Sequence, residues 1–173
     1  MFKWLHKWIS LRRNKPGSPE AIAANAGTFS EGFQRLKVQH FTAREFLTLG
    51  ASHNDARSTG YALNCHPPRE LWPNIFRLAR VLDIIRHRLD APIRLHSVYR
   101  NPRYNTAIGG APISQHKLGQ AADISSPTRS PLVLWRTAIR ARGEDIFEGG
   151  IGIYDTFVHV DIRGQRANWD RRN

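Results

Sequence analysis

One cysteine, Cys65, stands in a chain of 173 residues. This excludes an intrachain disulfide framework and any thiolate zinc site, which would need several cysteines. It leaves Cys65 to read as a small apolar residue. No apolar run approaches the ~20 residues that a membrane-spanning helix requires. Acidic side chains are scarce as well: 14 Asp and Glu stand against 26 Lys and Arg, a net charge of +12. So large a surplus predicts attraction to a polyanion, which could be nucleic acid, an anionic membrane or the acidic polymers of a cell wall. The basic residues run along the whole chain without a nucleic-acid-binding motif, so no specific nucleic-acid partner is expected. What is present argues for a folded globule over disorder: 40% of the residues are hydrophobic, with five Trp and eight Phe.

Patterning divides the chain into residues 1–40 and 41–173. In the first 13 residues Met1, Trp4, Leu5, Trp8 and Leu11 fall on one helical face and Lys3, Lys7, Arg12 and Arg13 lie elsewhere. This is the pattern of a short basic interfacial helix. His6 and Lys7 interrupt any signal-peptide core, and no small-residue cleavage site follows. Asn14 to Pro19 reads as linker, and the stretch to Gln39 is polar and weakly periodic. The compact domain is expected to begin near Phe41. Thr42-Ala-Arg-Glu45 is a capping box opening a short helix that stops before Gly50, and Ala51 to Arg69 reads as loop. From Pro73, Ile75, Leu78, Leu82, Ile85 and Leu89 form a helical core stripe. Ile93 to Tyr99 alternates as a strand, and Pro102 opens a short helix stopping at Gly109-Gly110. Strands follow at Ala121–Ser125, Gly149–Tyr154 and Phe157–Arg163, with a helix from Pro131 to Gly143 capped by Ser130. The expected fold class is α+β: a small antiparallel sheet carrying a metal site, with helices on its other face.

The chemistry concentrates in two strings, Ser114-Gln-His116-Lys-Leu-Gly-Gln-Ala-Ala-Asp123 and Phe157-Val-His159-Val-Asp161. Two imidazoles and one carboxylate are what a catalytic zinc takes from protein, with water left in the fourth position. The glycine between His116 and Asp123 suggests a turn bringing a loop ligand back to a strand ligand, and His159 would close the triangle. His40, His53, His66, His87 and His96 have no partners at metal spacing.

These motifs resemble the zinc D-alanyl-D-alanine carboxypeptidase and endopeptidase family, which cuts peptidoglycan stem peptides. His116-x-x-Gly119-x-Ala121-x-Asp123 and Val158-His-Val-Asp161 match two of its blocks. Ser97-Val-Tyr-Arg-Asn-Pro-Arg-Tyr-Asn105 with Gly109-Gly110 matches a third, Val98 standing where the family usually has Gly. The resemblance spans about Phe41 to about Trp169. It implies one zinc held by His116, Asp123 and His159. It also implies that Arg100 binds a substrate carboxylate or a developing oxyanion, which suits a permanently charged, bidentate guanidinium. Ser97, Tyr99, Ser114 and Gln115 are weaker candidates for binding the peptide backbone.

Relatives place a Glu or His two or three positions before the last zinc ligand as general base. Here those positions are Phe157 and Thr156, neither of which can serve. Asp161 shares a strand face with His159 and leads as catalytic base, with Asp155 and Glu148 behind it. Equally, Asp161 could be an acceptor that fixes an imidazole tautomer. The resulting expectation is a monomeric zinc metallopeptidase acting on D-alanyl bonds of peptidoglycan, as carboxypeptidase or endopeptidase, in wall remodelling or phage lysis. Its place of action would be the cell wall or periplasm, with the basic N-terminus touching anionic membrane or wall polymer. The absence of a clear signal peptide fits a phage-encoded protein or another export route. The rival is a non-catalytic wall- or partner-binding module that keeps its metal for structure.

Overall fold

The sequence from Trp72 to Leu89 carries apolar side chains at helical spacing, and Pro73 sits in the first turn, where its missing N–H costs nothing. In the computed structural model, which describes residues 15–173, this segment is the longest helix, α5. Ile75, Phe76, Leu78, Ala79, Val81, Leu82, Ile85 and Leu89 are buried along it, and the helix ends at Asp90 in the left-handed region (φ 48°, ψ 48°). The interfacial-helix reading of the first 13 residues lies outside the described residues.

Among the described residues four short α-helices precede α5: α1 Pro19–Asn25, α2 Phe29–Arg35, α3 Ala43–Phe46 and α4 Ala51–Asn54. The capping box at Thr42 and Glu45 is formed, both halves of it. Three expectations need correction. Pro19 to Arg35, read as polar and weakly periodic, holds the two helices α1 and α2, and Ile22, Ala23, Phe29 and Phe33 enter the core. Phe29 and Phe33 join Phe46, Trp72 and Phe76 in an aromatic cluster, with Phe29–Phe76 and Phe33–Phe46 centroids both at 5.2 Å. The loop after Gly50 begins with the α4 turn, and Cys65 is exposed, not packed.

Beyond α5 come β1 Arg94–Ser97, α6 Pro102–Ala107, β2 Ala121–Ser125, α7 Pro131–Gly143, β3 Gly150–Tyr154, β4 Val158–Asp161 and β5 Ala167–Arg171. The sheet order is β1-β2-β4-β3-β5. All neighbours are antiparallel except β3 and β5, which run parallel, so the expected antiparallel sheet gains a parallel edge strand. Alternation along the strands sorts the two faces. Ala122, Ile124, Ile151, Val158 and Val160 point into one core with α5 and α7. Asp123, His159 and Asp161 therefore point to the opposite face. Among the described residues no helix is long and apolar enough to cross a membrane.

Candidate metal centre

The sheet register lays a single row of residues across five strands. Ser97 lies opposite Asp123, Asp123 opposite His159, His159 opposite Gly152, and Gly152 opposite Trp169. Asp123 and His159, 36 positions apart in the chain, are thus cross-strand neighbours. His116 arrives from outside the sheet on a 3₁₀ turn, Gln115–Leu118. Gly119 then takes a left-handed conformation (φ 63°) that returns the chain to β2, where a Cβ would stand 2.9 Å from Ile75.

His116 Nε2 lies 3.2 Å from Asp123 Oδ1, and His159 Nδ1 lies 3.0 Å from the same oxygen. These donor atoms all fall within 4.8 Å of one another. The remaining ring nitrogens are committed elsewhere. His116 Nδ1 donates to the Val98 carbonyl at 2.8 Å, and His159 Nε2 donates to Asp161 Oδ2 at 3.1 Å. With those protons placed, His116 Nε2 and His159 Nδ1 present lone pairs to a carboxylate oxygen. Three acceptors then converge with no hydrogen to share unless an imidazole is protonated. A cation resolves that conflict, and two imidazoles with one carboxylate suit zinc or a similar borderline metal. The residues present fit the group.

The three candidate ligands are buried, His116 at 2% exposure. Burial pushes the His116 imidazolium down, outweighing the raising effect of Asp123. For Asp123, burial alone would raise the carboxyl, but His116, His159 and Arg100 hold it well below the usual range. His159 moves up despite its burial, because both Asp123 and Asp161 favour its charged form.

Arg100 closes one side of this cluster. Its Nε donates to Ser97 Oγ at 2.7 Å, and its guanidinium pairs with Asp123 Oδ2. The Ser97 hydroxyl, expected to contact peptide, is thereby engaged in holding Arg100. Tyr99 is buried, and burial pushes its phenol up. Ser114 caps the 3₁₀ turn and Gln115 opens it; both are half-buried beside His116.

Asp161 is fully buried. Its Oδ1 accepts from the Gly150 N–H (2.9 Å), the Arg163 N–H (3.1 Å) and Arg163 Nε (2.8 Å), and its Oδ2 faces His159 and the Arg163 guanidinium. Burial would raise this carboxyl, but His159, Arg163 and the Gly150 amide hold it far below the usual range. A carboxylate so saturated is a poor proton acceptor and a good imidazole anchor. Of the two roles left open by the sequence, the geometry matches the orienting one. Glu148 is held by Arg166 (2.8 Å) and Asp155 by Asn173, so neither fallback carboxylate is free. Sequence reasoning missed Arg163 and Trp169. Arg163 is the chelating partner of Asp161, and the Trp169 ring lies 5.2 Å from that of His159. Arg163 ends the expected Phe157–Arg163 strand as one more exposed base, and Trp169 sits in a polar stretch with no periodic signal.

No curated protein matches the chain. The family model for peptidase M15 matches residues 39–161, well over half of the chain, and takes in His116, Asp123, His159 and Asp161. Motif order, cross-strand placement of the ligands and this match agree: the chain belongs to the peptidase M15 family of metallopeptidases.

Proposed function

We propose that this chain hydrolyses D-alanyl peptide bonds in peptidoglycan stem peptides or crosslinks, with one zinc ion held by His116, Asp123 and His159. The observation that carries the reading is the convergence of three lone-pair atoms, two of them on imidazoles whose other nitrogen is already committed. Bound there, zinc would polarise a carbonyl and acidify water. The chain's own residues do the rest. Val98 and Asp161 fix the tautomers of His116 and His159 before any ligand arrives. Arg100 neutralises the outer oxygen of Asp123, which keeps Oδ1 turned inward. Its guanidinium also supplies a fixed positive charge at the rim, suited to a stem-peptide carboxylate or an oxyanion. Ser97 holds that guanidinium in place. The surplus of 12 positive charges favours approach to an anionic wall.

One observation favours a second reading, a wall-binding module with a structural metal: Asp161, Glu148 and Asp155 are all engaged, and none stands free as a base. Mass spectrometry of muropeptides incubated with the zinc-loaded protein separates the two. Chelator-sensitive loss of D-alanine or of crosslinks is expected. Unchanged muropeptides, with zinc bound at one per chain, would leave the binding module standing.

A further inference from the structure

The sheet face that presents His159 does not end at the metal ligands. Beside it come Tyr154, the last residue of β3, and Phe157, just before β4, whose rings stack at 4.2 Å and 9°. On β5 Trp169 lies over Gly152, where a Cβ would meet the indole Nε1 at 2.1 Å. Gly152 therefore leaves room for the ring, which lies 5.2 Å from that of His159 and tilted by 46°. Trp169 Nε1 donates to Tyr154 Oη at 3.0 Å, so the indole and the stacked pair are aimed by one hydrogen bond. Arg163 Cζ lies over the Trp169 ring, 5.6 Å from its centroid. All three aromatic rings are half-buried, not packed away. Trp169 lies beyond residue 161, where the family match ends, so the match assigns it nothing.

We propose that Trp169, Tyr154 and Phe157 form an aromatic shelf that binds the unbranched side chain of the diamino acid nearest the scissile bond. This rests on the peptidase reading above. The shelf begins one ring away from a metal ligand. An extended peptide advances about 3.3 Å per residue, so the shelf meets the residue beside the cleaved bond or the next one along. Alanine methyls are too small to use three rings. A lysine-like or diaminopimelate-like side chain has three or four methylenes that can lie along them, keeping its charged end in water. No free carboxylate competes for that end, since Asp161 is spent on His159 and Arg163.

The test is a binding cycle with the full chain, zinc-loaded. The ligands are stem peptides in which the scissile amide is replaced by a non-hydrolysable reduced bond, carrying either lysine or alanine at the diamino position. Calorimetry gives Kd for wild type and Trp169→Ala. Covering two methylenes' worth of surface is worth about tenfold in affinity, so each single change is expected to weaken binding about tenfold. The two together should weaken it no further, because they remove the same contact. Zinc stoichiometry should be unchanged. Losses that multiply to about a hundredfold, or no effect of Trp169→Ala, would overturn the subsite. Should Trp169→Ala not fold, Phe157→Ala at the outer end of the shelf carries the same cycle, with the same two outcomes. Coupled losses in a chain that fails to cleave the natural amide would support the shelf and remove the peptidase reading. Cleavage with uncoupled losses would remove the shelf alone.

Discussion

Replacing Asp161 with Asn asks what a fully buried carboxylate does beside a metal ligand. The wild-type side chain accepts from Gly150 N, from Arg163 N and Nε, and from His159 Nε2. Asparagine keeps the shape but has one acceptor oxygen, and its amide nitrogen would face either Gly150 or the His159–Arg163 side, donor against donor. Breaking a buried charge pair costs about 3–5 kcal/mol. Arg163 retains 32% exposure and can be partly rehydrated, so about 3 kcal/mol is the expected loss of stability. His159 loses the group fixing its tautomer, and zinc affinity should fall ~10–100-fold. Urea denaturation and zinc competition titration measure the two losses, and hydrolysis should return toward wild type at saturating zinc. The pH dependence has a definite sign. The folded carboxyl lies far below its unfolded value near ~4, so its stabilisation is complete above about pH 5 and is lost as pH falls. Asp161→Asn should therefore show a flatter acid limb than wild type. A fall in turnover of ~100-fold or more at saturating zinc, with affinity and stability intact, would refute this reasoning and make Asp161 the base.

His116→Ala and His159→Ala should each abolish stoichiometric zinc binding by metal analysis; full retention in both would remove the ligand assignment. Phe33→Ala, in the aromatic cluster of α2, should cost about 3–5 kcal/mol in a denaturant titration. An effect under ~1 kcal/mol would show that α2 is peripheral to the fold. Arg100→Lys keeps the charge, but one ammonium cannot serve both Ser97 and Asp123, so kcat should fall about 100-fold with zinc retained. Loss of zinc instead would assign Arg100 to holding Asp123 alone.

Long periodic segments were legible from residue types alone. Helix α5 follows from its stripe of Ile and Leu, and β2 and β4 follow from short apolar runs around Asp123 and His159. Helices α1 and α2 were not, because seven residues give only two turns and periodicity needs more. Their caps were nevertheless written in the chain: Ser18 before Pro19, and Thr28 with Glu31. Strand β5, Ala167 to Arg171, has one apolar ring among polar residues and carries no strand alternation. It is held by partners distant in sequence: β3 pairs along its length, and Arg142 bonds to the Ala167 carbonyl and the Asn168 side chain.

The same limit explains why the candidate ligands could be named from the sequence and their supports could not. A ligand is announced by its type, since few roles need two imidazoles and a carboxylate in that order. A support is announced only by what it touches. Asp161 two residues after His159 has the same spacing whether it accepts a proton or anchors the ring. What separates the roles is the Gly150 amide from β3 and the guanidinium of Arg163, and neither contact can be read from a strand taken alone. Likewise the residue that fixes His116 is Val98, through a carbonyl that any residue would offer. If the three residues hold zinc, the consequence is that much of the metal affinity would reside outside them, in backbone and side-chain acceptors placed by the sheet. Substitutions that shift β1 against β2, or β3 against β4, should weaken zinc binding even where every ligand is intact.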